Sequence, residues 1–196
     1  MGHPVSFPFG IWFADASSLY VCDEGDGTLV SGQVINGVTN VADAATLASA
    51  GVQKWRLING TWKLQYVLQD GLNLGVPYGV ANYPASLNPA TDGCRNLTGQ
   101  RNGDGTVTIY AVTSTVSTNG DQGADPNKLV KVTDLLKATS LPTRSGDRDK
   151  DGDDGDRWGH FTTIRSAQAG EVLRGISLAP RAQHDGDQDH DRGKDN

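Results

Sequence analysis

The stretch Trp55-Arg56-Leu57-Ile58-Asn59-Gly60-Thr61-Trp62-Lys63-Leu64 decides the fold class. On either side of Asn59-Gly60, apolar and polar residues alternate, and Asn-Gly is the dipeptide that accepts positive φ at both centres of a two-residue turn. The spacing predicts an antiparallel hairpin. The same signature recurs along the chain as short β-branched and aromatic runs closed by Gly, Asn, Asp or Pro, without helical i, i+3, i+4 stripes. It predicts strands at 11–14, 18–22, 52–58, 62–68, 106–113, 128–133, 161–165 and 172–178. Only 41–50, which holds Ala42-Asp43-Ala44-Ala45-Thr46-Leu47-Ala48, reads as helical, and for no more than a turn or two. Composition agrees: Gly supplies 25 of 196 residues and apolar types 36%, as expected of a turn-rich all-β chain.

The formal charge of -6 is uneven. Residues 145–157 carry six Asp against Arg148, Lys150 and Arg157, and residues 183–196 carry five Asp against Arg192 and Lys194. Each segment holds half of the net charge, so the remainder is neutral and offers no basic face for a phosphate backbone or an anionic membrane. Neither nucleic acid nor membrane is an expected partner. No run of eighteen apolar residues occurs, and Met1-Gly2-His3-Pro4 opens neither the basic nor the apolar region of a secretory signal.

Aligning the strands gives a repeat. One unit comprises 11–14, 19–22 and the hairpin through Leu68; the next comprises 95–99, 107–112, 129–132 and 161–165; a third begins at Leu173-Arg174-Gly175-Ile176. Four strands per unit is the composition of a β-propeller blade, a four-stranded antiparallel sheet. The expected fold is therefore all-β, a partial β-propeller of about two four-stranded antiparallel blades plus the first strand of a third. It covers 1–180 with inserted loops at 70–92, 114–127 and 139–158, followed by an acidic, disordered tail at 181–196.

Several segments carry a family resemblance: Phe9-Gly10-Ile11-Trp12-Phe13-Ala14-Asp15, Leu19-Tyr20-Val21-Cys22-Asp23-Glu24-Gly25-Asp26-Gly27, Gly51-Val52-Gln53-Lys54-Trp55, Leu72-Asn73-Leu74-Gly75-Val76-Pro77-Tyr78, Gly120-Asp121-Gln122-Gly123-Ala124-Asp125-Pro126-Asn127-Lys128-Leu129-Val130 and Gly170-Glu171-Val172-Leu173-Arg174-Gly175. Over about 7–180 the chain resembles the C-terminal portion of a family of bacterial, mostly exported, uncharacterised β-propeller proteins. The resemblance implies an extracellular location and carries no activity with it. The Asp-rich segment 145–158 and the tail after Pro180 look like additions, and two blades are too few to close a ring. Self-association, or further blades of a longer parent chain, is the expected remedy, since a repeat unit buries its apolar faces only against neighbours.

Candidate chemistry is confined to acidic loops. Asp147, Asp149, Asp151 and Asp153 with Gly152 reproduce the first half of a calcium loop. The second half is lacking: Trp158 stands where the bidentate Glu belongs, and Asp156 would have to substitute. The alternative is a solvated acidic loop. Asp121, Asp125 and Asn127 form a second candidate metal set and Asp23, Glu24 and Asp26 a third, each competing with the ordinary use of Asp and Asn in capping their own turns. Ca2+ is the one cofactor these sets suggest. Cys22 and Cys94 have no metal-ligand spacing and read either as two buried small residues or, in an oxidising compartment, as a disulfide. His160, beside Trp158 at the head of a strand, reads as a rim residue.

The expected function is a non-catalytic scaffold or binding module for a protein or small-molecule ligand. The alternative is a calcium-dependent propeller hydrolase, phosphatase-like or lactonase-like, with the ion held by Asp121, Asp125 and Asn127 or by Asp23, Glu24 and Asp26. The acidic segments themselves give a test. Calcium titration followed by hydrogen exchange is expected to protect 147–156 and leave the tail unchanged; no protection at several millimolar calcium leaves the solvated-loop reading.

Overall fold

Period-two alternation gives each strand an inner and an outer face, and the difference between those faces sets the architecture. The structure, a computed structural model, describes residues 6–35, 38–39, 42–141 and 158–179. These form β1 (Pro8–Asp15), β2 (Ser18–Asp23), β3 (Val34–Ile35), β4 (Val38–Thr39), β5 (Gly51–Ile58), β6 (Thr61–Leu68), β7 (Ala90–Arg101), β8 (Thr106–Val116), β9 (Lys128–Leu135) and β10 (Thr162–Ser166). Single 3-10 turns at Ala44–Thr46 and Ala85–Leu87 are the helical content of the described residues.

The strands make two four-stranded antiparallel sheets, ordered β1-β2-β5-β6 and β10-β9-β8-β7, with β3-β4 a small separate hairpin. The first and second sequence units thus reappear as two meanders, in which neighbours in the sheet follow one another along the chain apart from the inserted hairpin. The predicted turn at Asn59-Gly60 joins β5 to β6, with φ of 51° and 76° at its two centres. Among the described residues the sheets close neither a barrel nor a ring of blades.

Two expectations change. Residues 172–178 form no strand, so the expected first strand of a third blade is not there: the Leu173 amide donates to Asn127 Oδ1 at 2.7 Å and the Leu173 carbonyl accepts from Asn127 Nδ2 at 3.0 Å. A side-chain amide therefore satisfies the backbone groups that a partner strand would have used. The helical reading of 41–50 shrinks to Ala44–Thr46, because the Ala44 amide bonds to the Thr28 carbonyl and ties the segment to the preceding loop. The loops overlap the sheets at their ends, since β7 starts at Ala90 and β8 runs to Val116. Asp147, Asp149, Asp151, Asp153, Asp156 and the tail 181–196 lie outside the described residues.

The sheets pack face to face, with β7 crossing β1 and β2. Gly99 admits this crossing: a Cβ there would come within 2.7 Å of the Trp12 ring. The core between the sheets holds Val52, Leu68 and Cys22 from one side and Val107, Ile109, Ala111, Val130 and Val132 from the other. It also holds a charge pair. In the first sheet Trp12, Tyr20, Lys54 and Tyr66 are ladder partners and form one row across four strands. That row meets Asp134 of β9. Lys54 Nζ lies 3.0 Å from Asp134 Oδ2, with both side chains wholly buried. The hydroxyls of Tyr20 and Tyr66 donate to the same carboxylate at 2.6 and 2.8 Å, and Lys54 also donates to the Leu135 carbonyl. Burial lowers the Lys54 ammonium pKa, opposed by Asp134, while burial and the Asp134 charge raise both tyrosines.

The outer faces contrast sharply. On the second sheet, Thr98, Tyr110, Lys131 and Thr162 form one cross-strand row and Gln100, Thr108 and Thr133 another, all polar or amphipathic. On the first sheet, Phe13, Leu19, Trp55 and Leu64 form one row, Leu57 and Trp62 lie beside it, and Ile11 pairs with Val21. Phe13 packs edge-on against Trp62 at 6.0 Å. Ile11 and Phe13 are more than half exposed.

Removing one member of the buried pair strands the other. Lys54→Met is expected to cost about 3–5 kcal/mol in urea unfolding. Adding Asp134→Asn should recover part of that loss, because a neutral amide oxygen still accepts the tyrosine hydroxyls.

Candidate functional site

Turn chemistry first makes each acidic loop, and the crossing of β7 then brings two of them together. After β2, Asp23 Oδ1 accepts from the Gly25 amide at 3.0 Å and Asp26 Oδ1 from the Thr28 amide at 2.9 Å, both two residues on, as Asx turns do. Asp23 Oδ2 is also committed, to Ser6, the Phe7 amide and Gln53. Before β9, Asn119 Oδ1 caps the Asp121 amide at 2.8 Å, and the Asp121 side chain is exposed.

Gln122 joins the two loops. Its Nε2 donates to the Glu24 carbonyl at 2.9 Å, to the Gly25 carbonyl at 3.2 Å and to Asp92 Oδ2 at 2.6 Å. Arg95 of β7 lies across the same junction: Nε is 2.5 Å from Glu24 Oε2, and a terminal nitrogen donates to the Gln122 carbonyl at 3.0 Å. Asp92, also on β7, is the hub. It is fully buried, takes the Gly27 amide at 2.8 Å on Oδ2, and has no hydrogen-bond partner on Oδ1. Gly25, at φ 81°, is required twice over, for its left-handed backbone and because a Cβ would meet the Asp92 carboxyl at 2.5 Å.

Burial, reinforced by the charges of Asp26 and Glu24, pushes the Asp92 carboxyl up to about 7 against the lowering hydrogen bonds from Gly27 and Gln122. Its inaccessibility makes it a group that acts on the stability of the loop junction and not on a bound substrate. Burial also raises Asp26.

In the Asp121, Asp125 and Asn127 set, Asp121 is exposed while Asp125 and Asn127 are buried, and Asp125 Oδ2 has no hydrogen-bond partner among the described residues. Asp125 Oδ1 accepts from the Tyr83 hydroxyl and from Asn119 Nδ2. Asn127 spends both ends of its amide on the Thr113 and Leu173 backbone. Among the described residues no three His, Cys, Asp or Glu side chains gather where one ion would sit. His160 Nδ1 lies 3.1 Å from Asp70 Oδ2 on a partly exposed rim.

A shallow cleft of about 650 Å³ opens beside Asn127, between Tyr78–Asn82 and Ser166–Ala169. Lys128 lies in its wall with Nζ 3.7 Å from the centre of the Tyr78 ring, and burial lowers its ammonium pKa. The Tyr78 hydroxyl donates to the Pro126 carbonyl at 2.8 Å and so fixes that ring.

Sequence reading identified the two loops and missed Asp92 and Arg95, which join them. A signal was present for one: Asp92 stands at period-two spacing between the small residues Ala90 and Cys94, in a part of β7 whose residues prove buried. Comparison of the chain with protein-family models, curated proteins and solved structures returned no match.

The raised Asp92 carboxyl has a defined linkage. Because the folded chain holds this proton more tightly than the unfolded chain, the contribution is fully present below the unfolded carboxylate pKa and is lost as pH rises through about 7. Wild-type protein is expected to gain about 1–2 kcal/mol between pH 8 and pH 6 in urea unfolding. Asp92→Asn, which keeps an acceptor for Gly27 and Gln122, should flatten that rise; an equal slope in the variant assigns it to other groups.

Proposed function

We propose that the chain is a non-catalytic scaffold of propeller type, two blades that receive a further four-stranded sheet on the outer face of the first. One observation carries the reading: the β1-β2-β5-β6 sheet is apolar on both faces, and Ile11, Phe13, Leu57 and Leu64 are exposed on the outer one. An antiparallel sheet with one face in water normally alternates apolar-in and polar-out, which is what the second sheet does. A sheet apolar on both faces belongs between two neighbours, as a blade lies within a propeller. The up-and-down order of both sheets and their packing across one core support the reading as blades.

Size supports the fit. Four strands about 4.8 Å apart, three of eight residues and one of six, at about 3.3 Å per residue present roughly 500 Å², so a matching sheet would bury roughly 1,000 Å² in total, the lower bound of a specific interface. The linked loops after β2 and before β9 lie at the ends of the sheets, where a scaffold of this kind carries its variable surface.

In the isolated chain the available matching face is that of a second copy. Light scattering on a size-exclusion column is expected to return twice the 20.7 kDa chain mass, and Ile11→Lys combined with Phe13→Lys to return the monomer with its own fold intact. A wild-type monomer that unfolds sharply would overturn the proposal, since nothing would then need to cover this face.

A further inference from the structure

The point where β7 crosses β1 and β2 brings the chain's two cysteines together. Gly10 is the ladder partner of Cys22, and a Cβ on Gly10 would lie 2.6 Å from the Arg95 carbonyl, next to Cys94. On the other strand, Gly93 precedes Cys94, and a Cβ there would collide with the carbonyl of Asp23, the residue after Cys22. Face-packed sheets ordinarily stand about 10 Å apart. Here two glycines let the backbones touch, and they flank both cysteines. Cys22 and Cys94 are completely buried free thiols in one core cluster, and the nearby Cys94 thiol joins burial in raising the Cys22 pKa.

We propose that Cys22 and Cys94 close into an intramolecular disulfide when the chain folds in thiol-oxidising surroundings, stapling the first sheet to the second. The oxidant is a small-molecule or protein disulfide, for which oxidised glutathione serves as the probe. One cysteine thiolate attacks the glutathione disulfide, forming a mixed disulfide and expelling one glutathione thiolate. The second cysteine thiolate attacks the cysteine sulfur of that mixed disulfide and expels the other. Two protein thiols become one cystine and one oxidised glutathione becomes two reduced; two electrons pass to glutathione, and the two thiol protons end on the released thiols.

The exchange belongs to the open chain. Once the sheets pack, neither thiol meets solvent, and burial with the neighbouring thiol holds the Cys22 pKa well above the ordinary range, so thiolate is scarce. The same burial then shields the closed bond from reductant. The ring spans residues 22 to 94, long enough for the cross-link to remove much of the freedom of the unfolded chain and raise the melting temperature by roughly 10 °C.

The full chain is refolded from denaturant with excess oxidised glutathione, and in parallel with reductant. The oxidised sample is expected to show no titratable thiol under denaturing conditions, a mass lower by two hydrogen atoms without a glutathione adduct, and a melting temperature roughly 10 °C above the reduced sample. Cys22→Ala with Cys94→Ala should melt alike in both buffers. Two recovered thiols, a persistent glutathione adduct, a disulfide between chains, or an oxidised form that melts no higher than the reduced one would each overturn the proposal.

Discussion

The buried pair of Lys54 and Asp134 is the constraint around which the two sheets are arranged. An ammonium and a carboxylate, both shut off from water, are tolerated only when each finds its full set of partners. Here the carboxylate takes Lys54 and two tyrosine hydroxyls, and the ammonium adds the Leu135 carbonyl. That requirement fixes register. A slip of one residue in β5 would turn Lys54 to the outer face and leave Asp134 with an uncompensated charge in the core. Hydrophobic residues alone would accept several alignments of the sheets; this pair accepts one.

The two outer faces differ in chemistry. Thr98, Tyr110, Lys131 and Thr162 make a surface suited to water, and Phe13, Leu19, Trp55 and Leu64 make one suited to a neighbour. The outer face of the second sheet is thus polar where that of the first is apolar. Within one chain, the same strand chemistry serves both because alternation lets each face be composed independently.

The loop junction follows from the sheet crossing. Where β7 passes over β2, it delivers Asp92 and Arg95 to the loops after β2 and before β9, and Gln122 closes the contact from the other side. The unpartnered oxygen of Asp92 and its raised pKa are the cost of placing a carboxyl in so dry a position. Protonation near neutrality relieves that cost, so the junction between the loops is coupled to pH through a buried group.

The sequence by itself located the eight strands of the two sheets, though not β3 or β4, together with the Asn59-Gly60 hairpin and the grouping into two four-stranded units. Each depends on period-two alternation or on the φ preference of adjacent residues, which are local properties. It also marked the loops at Asp23-Glu24-Gly25-Asp26 and Asp121-Gln122 as polar turns. Lys54 was half legible, since it shares the inward phase of Val52, and Asp134 shares that of Val132, but neither residue names the other. The predicted strand at 172–178 failed for a related reason: strand propensity cannot show whether a partner strand or the amide of Asn127 will satisfy the backbone. Only the tertiary structure decided that Lys54 meets Asp134, that Asp92 and Arg95 join two loops, and that Cys22 lies against Cys94. These contacts join residues far apart in the chain, and they depend on the close approach of β7 to the first sheet that Gly10, Gly93 and Gly99 allow.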